Sequence, residues 1–84
     1  MEPELPAEIR ALRLRAGNLK PKDLQSIAEA AGFVYQHTSG SHAIYSKDGY
    51  WANLAIPLHS LKKKTALRIL NLIDGAVQGG NDDE

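Results

Sequence analysis

The 84-residue chain contains no cysteine. Without thiols it can form neither a disulfide framework nor a thiolate zinc site, and nothing in its composition requires an oxidising compartment. Apolar runs such as residues 54–58 are far too short to cross a bilayer. The first residues, Met-Glu-Pro-Glu, are acidic where a secretory signal needs positive charge. We therefore expect a cytoplasmic protein with no membrane segment and a single small core.

The chain also lacks net charge, but only when it is counted as a whole. Ten Lys and Arg residues balance ten Asp and Glu residues. All ten basic residues lie between positions 10 and 73 with only three acidic ones, so this central part carries +7 and the two ends together carry −7. A neutral total argues against a nucleic-acid-binding protein, whereas a basic central part with acidic ends is compatible with one.

Apolar residues recur at helical spacing in three segments. The first covers residues 6–16, with Gly17-Asn18 as a C-terminal stop. The second begins at Pro21, which suits a first helical turn, and ends before Gly32. The third runs from about residue 61 to residue 74 or a little beyond. The apolar positions expected to face a core are Ile9, Leu12, Ala16, Leu24, Ile27, Ala28, Ala31, Ala66, Ile69, Leu70, Ile73 and Val77.

Between the second and third helices the pattern becomes that of strands. Aromatic and β-branched residues predict one strand over residues 33–38 and another over His42–Ser46. Lys47-Asp48-Gly49 predicts a tight hairpin turn, and a third strand over residues 50–56 would end at Pro57. We predict an α+β fold with helices on one face of a three-stranded antiparallel sheet, an N-terminal helical extension (1–18), and mobile tails at 1–5 and 79–84.

Among the three histidines, His42 has the most suggestive context. It follows Gly40-Ser41 at the entry to the middle strand, where a turn would hold its imidazole near solvent. A histidine placed there can transfer a proton near neutral pH. Position alone favours the simpler interpretation, a polar residue that flanks a turn. His37 and His59 have no comparable context, and the sequence contains none of the familiar metal-ligand spacings or phosphate-binding glycine loops.

A cluster of basic residues opens the third helix. Lys62, Lys63, Lys64 and Arg68 place positive charge beside free backbone N–H groups, an arrangement that favours a phosphate. The cluster can equally be a solvated helix face. Trp51 and Tyr45 are the aromatic residues that could stack on a base, although simple packing in the core explains at least one of them.

Several motifs occur in the order found in the HicA toxins of bacterial HicA–HicB toxin–antitoxin pairs, which the chain resembles over residues 19–75. Gly32-Phe33 after a helix and Gly40-Ser41-His42 before Ile44-Tyr45 are the most specific of them. The remaining motifs are Asp48-Gly49, Pro57, His59, Leu61-Lys62-Lys63 and Thr65.

The resemblance implies a double-stranded-RNA-binding-like domain over residues 19–78 that acts as an mRNA endoribonuclease held silent by a HicB-like antitoxin, through which it could form oligomers. His42 would be the catalytic residue and Gly40 and Ser41 its supporting turn, with no metal or cofactor required. The RNA supplies its own nucleophile, the 2′-hydroxyl, so the protein needs only a proton-transfer group and phosphate-binding charge. Lys62, Lys63, Lys64 and Arg68 would supply that charge.

Two other hypotheses remain open after the ribonuclease. One is a non-catalytic module that binds double-stranded RNA, because a Gly-Ser-His turn and a lysine-rich helix start also occur in such domains. The other is a protein-interaction domain whose basic surface contacts an acidic partner. We rank the ribonuclease first and the protein-interaction domain last.

Overall fold

Three amphipathic helices and three short strands enclose a single layer of apolar side chains in the computed structural model, which describes residues 4–79. The strands pair antiparallel in the order β1-β2-β3, so the predicted α+β fold is confirmed. The likeness to a double-stranded-RNA-binding domain stays a prediction. The elements are α1 (Glu4–Leu14), a 3₁₀ turn (Ala16–Asn18), α2 (Pro21–Ala30), β1 (Val34–Ser39), β2 (His42–Ser46), β3 (Leu54–Pro57) and α3 (Lys63–Gly79).

The helices cover one face of the sheet and leave the other open. Side chains of β2 alternate between the two faces, so Ala43 and Tyr45 are buried while His42 is exposed. Strand β3 repeats this alternation with buried Leu54 and Ile56. The face that carries His42 is therefore the one without a helical cover.

The apolar helix faces predicted from the sequence form the core. Of the twelve predicted positions, ten are buried, while Leu12 and Val77 are partly buried against the same cluster. Near the start of α2, the Asp23 carboxylate accepts a hydrogen bond from the Lys20 backbone N–H at 2.8 Å. No helix within residues 4–79 is long and apolar enough to span a membrane.

Both terminal helices extend further toward the chain ends than predicted. Helix α1 begins at Glu4, and Leu5 packs against the core, so the prediction of a mobile tail was wrong for these two residues. Pro6 does not interrupt this start, because the first turn of a helix uses none of its N–H groups for intrahelical bonds. At the other end α3 continues past Asp74 to Gly79. The remaining tail positions, 1–3 and 80–84, lie outside the described residues.

The first strand starts one residue later than predicted. The Phe33 N–H bonds to the Ala28 carbonyl at 2.9 Å, which makes Phe33 part of the C-terminal cap of α2 rather than of β1. Gly32 precedes it with a φ of 98°, a left-handed conformation that suits glycine.

The third strand was predicted over residues 50–56, but β3 covers only Leu54–Pro57. The tight turn does form, with Gly49 at a φ of 82° and the Tyr50 N–H bonded to the Lys47 carbonyl at 3.1 Å. The chain then leaves the ladder because the Tyr50 side chain packs edge-on against Phe33 and donates a hydrogen bond to the Leu72 carbonyl of α3 at 2.9 Å. Residues 47–53 are consequently a loop.

Candidate functional site

A groove of about 550 Å³ opens where the start of β2 and the end of β3 meet the first turns of α3. It draws on residues that are more than twenty positions apart in the chain, and most of its lining is polar. We refer to it as the β2–α3 groove, and its lining residues are Ser41, His42, Ala55, Pro57, His59, Ser60, Lys62, Thr65 and Arg68.

The turn between β1 and β2 places His42 at the groove. Gly40 adopts a φ of 61°, which lets the chain reverse tightly before β2 begins. His42 then pairs with Ser39 on one side and with Pro57 on the other. Its imidazole is exposed, so a substrate in the groove can reach it.

A backbone hydrogen bond joins this turn to the segment that follows β3. The Leu58 N–H donates to the Ser41 carbonyl at 2.8 Å, which continues the pairing of β2 and β3 by one residue. The bond holds the two chain segments that carry His42 and His59 side by side. The groove is therefore built on paired backbone rather than on two independent loops.

Two cationic side chains line the α3 side of the groove. The Lys62 carbonyl accepts the hydrogen bond of the Ala66 N–H at 2.9 Å, so Lys62 lies just ahead of α3 while Arg68 lies in its second turn. The first N–H groups of a helix have no intrahelical acceptor and carry partial positive charge. This wall is therefore suited to an anion such as a phosphate.

The other two lysines of the predicted phosphate cluster do not line the groove. Lys63 and Lys64 are exposed on the first turn of α3. The structure thus brings Lys62 and Arg68 together with His42, and the role of Lys63 and Lys64 in phosphate binding stays a prediction.

His59 is the groove residue for which the sequence gave no chemical context. It is exposed and lines the same groove as His42. No local sequence signal marks it, because the strand register brings it to the groove: His42 pairs with Pro57, and His59 follows two residues later. His37, by contrast, is exposed on β1 and does not line the groove.

The two aromatic residues considered for base stacking lie elsewhere. Tyr45 is 3% exposed and faces the helices. Burial raises the pKa of its hydroxyl, and the nearby Glu29 carboxylate raises that pKa further. Trp51 is 82% exposed in the 47–53 loop, where it lines a separate cavity of about 460 Å³ with Lys47 and Gly75. Tyr45 is thus a core residue, and Trp51 is an exposed ring outside the groove.

Acidic side chains are missing from the groove lining, which matters for its possible ligands. Within the described part of the chain, no group of three or more His, Asp or Glu residues is arranged to hold a metal ion. What the groove does offer is two imidazoles, two fixed positive charges and several hydroxyl groups. Such a set can bind a phosphate and transfer protons.

Comparison with known proteins identifies the family. The family model of the HicA toxin of bacterial toxin–antitoxin systems matches residues 21–74, which is more than half of the chain. Every residue that lines the β2–α3 groove lies inside this span. No curated protein and no solved structure matches the chain significantly. The chain therefore belongs to the HicA family of bacterial toxins.

Proposed function

We propose that this protein is the toxin of a type II toxin–antitoxin pair and that it acts as an endoribonuclease on mRNA. The observation that carries the proposal is the placement of exposed His42 in one groove with Lys62 and Arg68. Membership of the HicA toxin family supports the same conclusion. It also supports a HicB-like antitoxin as the protein partner, and an mRNA target implies action in the cytoplasm.

The chemistry follows from the nature of RNA. The 2′-oxygen attacks the adjacent phosphorus while its proton passes to a base, and the bond from phosphorus to the 5′-oxygen breaks as that oxygen gains a proton. The products are a 2′,3′-cyclic phosphate and a 5′-hydroxyl. His42 transfers a proton in this step, and Lys62 and Arg68 stabilise the negative charge that builds up on the phosphate oxygens. The reaction as written needs no metal or cofactor.

The proposal is tested by incubating the purified full-length protein with end-labelled mRNA in the presence of EDTA. We expect cleavage that is insensitive to EDTA, that yields 2′,3′-cyclic phosphate ends, and that stops when the nucleotide at the cleavage site is 2′-deoxy. The His42→Ala variant should cleave about 10²–10⁴-fold more slowly. Expression of the wild type, but not of this variant, should arrest growth.

The matched control is His37→Ala, which removes an exposed histidine outside the groove and should leave the rate unchanged. A folded His42→Ala variant that cleaves at the wild-type rate would rule out the catalytic assignment. An RNA band that shifts on binding but stays intact would instead favour a non-catalytic double-stranded-RNA-binding module. No interaction with RNA even at low salt would favour a protein-interaction domain.

A further inference from the structure

We infer that His59 is the second proton-transfer group of this reaction and acts on the oxygen that His42 does not serve. The inference rests on the proposed ribonuclease function and adds a catalytic residue to it. It starts from the observation that both imidazoles are exposed and line the same groove.

The pairing of β2 with β3 brings the two histidines together. His42 lies directly opposite Pro57, and the bond from the Leu58 N–H to the Ser41 carbonyl, 2.8 Å long, continues the pairing. His59 follows one residue later, in the bend after β3, and lines the groove together with His42. Two imidazoles in one groove can flank a bound phosphate and reach oxygens on both sides of it.

The reaction needs two proton transfers on opposite sides of the phosphorus. The base that takes the 2′-hydroxyl proton lies on the attacking side, whereas the acid that protonates the 5′-oxygen lies on the leaving side. A single imidazole cannot be on both sides at once. One histidine therefore accepts a proton while the other donates one, and the reaction ends with the two protonation states exchanged between the rings.

The other side chains of the groove are poor candidates for the second role. Lys62 and Arg68, the two cationic side chains that line the groove with His59, serve as phosphate-binding groups. The hydroxyls of Ser41, Ser60 and Thr65 ionise far above neutral pH. The lining contains no carboxylate. His59 is thus the groove residue besides His42 that belongs to the residue type most often used for proton transfer.

The test compares the pH profiles of kcat/KM for RNA cleavage among the wild type, His59→Ala, His59→Asn and His37→Ala. We expect a bell-shaped wild-type profile, because one histidine must be charged and the other neutral. In both His59 variants the pH profile should lose one of its two limbs, and kcat/KM should fall by about 10²–10⁴-fold. Their affinity for an RNA that is 2′-deoxy at the cleavage site should change less than threefold. His37→Ala should behave like the wild type.

A second substrate, a ribonucleoside 3′-(4-nitrophenyl phosphate), carries a leaving group that needs no acid. We compare His42→Ala and His59→Ala on this substrate. The variant that lacks the general acid should cleave it at close to the wild-type rate, whereas the variant that lacks the general base should stay slow. Two results would overturn the inference. One is a His59→Ala variant that cleaves RNA within threefold of the wild-type rate, and the other is a variant that binds RNA more weakly but keeps the bell-shaped pH profile.

The inference and the proposed function fail in different ways. An inactive wild type, or an active His42→Ala variant, would contradict the proposed function itself. Loss of activity in His42→Ala together with full activity in His59→Ala would contradict only the role of His59. Because His59 is exposed, its variants should keep the wild-type circular dichroism spectrum and Tm.

Discussion

Gly75 in the middle of α3 shows how a single residue position depends on a distant neighbour. Glycine in a helix ordinarily costs about 0.8–1.0 kcal/mol relative to alanine. Here a Cβ on Gly75 would lie 2.7 Å from the Tyr50 hydroxyl oxygen, the same oxygen that donates a hydrogen bond to the Leu72 carbonyl. Glycine thus leaves room for the contact that joins the 47–53 loop to α3.

We predict that the effect of Gly75→Ala on stability changes sign with the residue at position 50. In the wild type the substitution should lower the free energy of unfolding by about 1–2 kcal/mol, because the Tyr50 hydroxyl must move. In a Tyr50→Phe background, where the ring Cζ lies at an ordinary 3.8 Å from the new Cβ, it should raise that free energy by up to about 1 kcal/mol.

Urea unfolding of the four proteins in this double-mutant cycle measures both effects. Tyr50→Phe alone should cost about 0.5–1.5 kcal/mol through the lost hydrogen bond. Equal effects of Gly75→Ala in the two backgrounds would show that the hydroxyl does not explain the glycine.

Among the histidines, sequence reasoning at the residue scale found one of the two that line the groove. His42 was recognisable because the turn residue Gly40 and the start of a strand are neighbours in the chain. His59 follows β3 in a segment without such a local signal, and the bond of its neighbour Leu58 to Ser41 brings it to the groove. The catalytic roles of both stay predictions until the rates are measured.

At the scale of elements, α1 is notable because it precedes the span matched by the family model yet contributes to the core. Ile9 is 2% exposed and belongs to the central apolar cluster. The Arg13–Asp74 ion pair between α1 and α3, at 3.0 Å, is a smaller contribution. Its side chains are 37% and 28% exposed, and such pairs usually contribute less than about 1 kcal/mol. Apolar burial therefore holds α1 in place.

We predict that Ile9→Ala lowers the free energy of unfolding by about 2–5 kcal/mol, since it leaves a cavity in the shared core. Leu14→Ala is the matched control, because Leu14 belongs to the same helix but is 86% exposed, and its effect should stay within about 0.5 kcal/mol. Urea denaturation measures both variants. Similar values for the two would mean that α1 is not part of the cooperative core.

The β2–β3 connection illustrates which element boundaries sequence patterns miss. A tight turn at Asp48-Gly49 followed at once by a strand would pair Lys47 with Tyr50, and hence His42 with Ala55. The observed partner of His42 is Pro57. The two-residue difference arises because Tyr50 turns away to contact Phe33 and Leu72, which a pattern confined to the hairpin cannot show. The existence of each strand was predictable from local composition, but this register was not.

At the scale of the whole molecule, the zero net charge is a cancellation between regions. The positions from 10 to 73 carry +7, and two of those charges, Lys62 and Arg68, line the groove. The last three residues of the chain, Asp82, Asp83 and Glu84, carry −3. Negative charge on the same chain competes with RNA phosphates for the basic surface.

We predict that neutralising these acids with the triple variant Asp82→Asn, Asp83→Asn, Glu84→Gln tightens non-specific RNA binding at low salt. The effect should shrink as salt rises, because it is electrostatic. Filter binding of a non-cleavable 2′-deoxy-substituted RNA at several salt concentrations measures it. A chain lacking residues 80–84 should behave like the triple variant, and an unchanged affinity in both would contradict a role for the acidic end.

The sequence by itself determined the helix faces, the turn glycines, strand β2 and the uneven charge, because periodicity, backbone preference and charge act over a few neighbouring residues. Only the tertiary structure decided the register of β3, the loop at Tyr50 and the meeting of His59 with His42. Those features depend on the hydrogen bonds of Tyr50 to Leu72 and of Leu58 to Ser41, which join residues 22 and 17 positions apart. Bonds across such distances form only when the whole core has assembled, and so no local pattern encodes them.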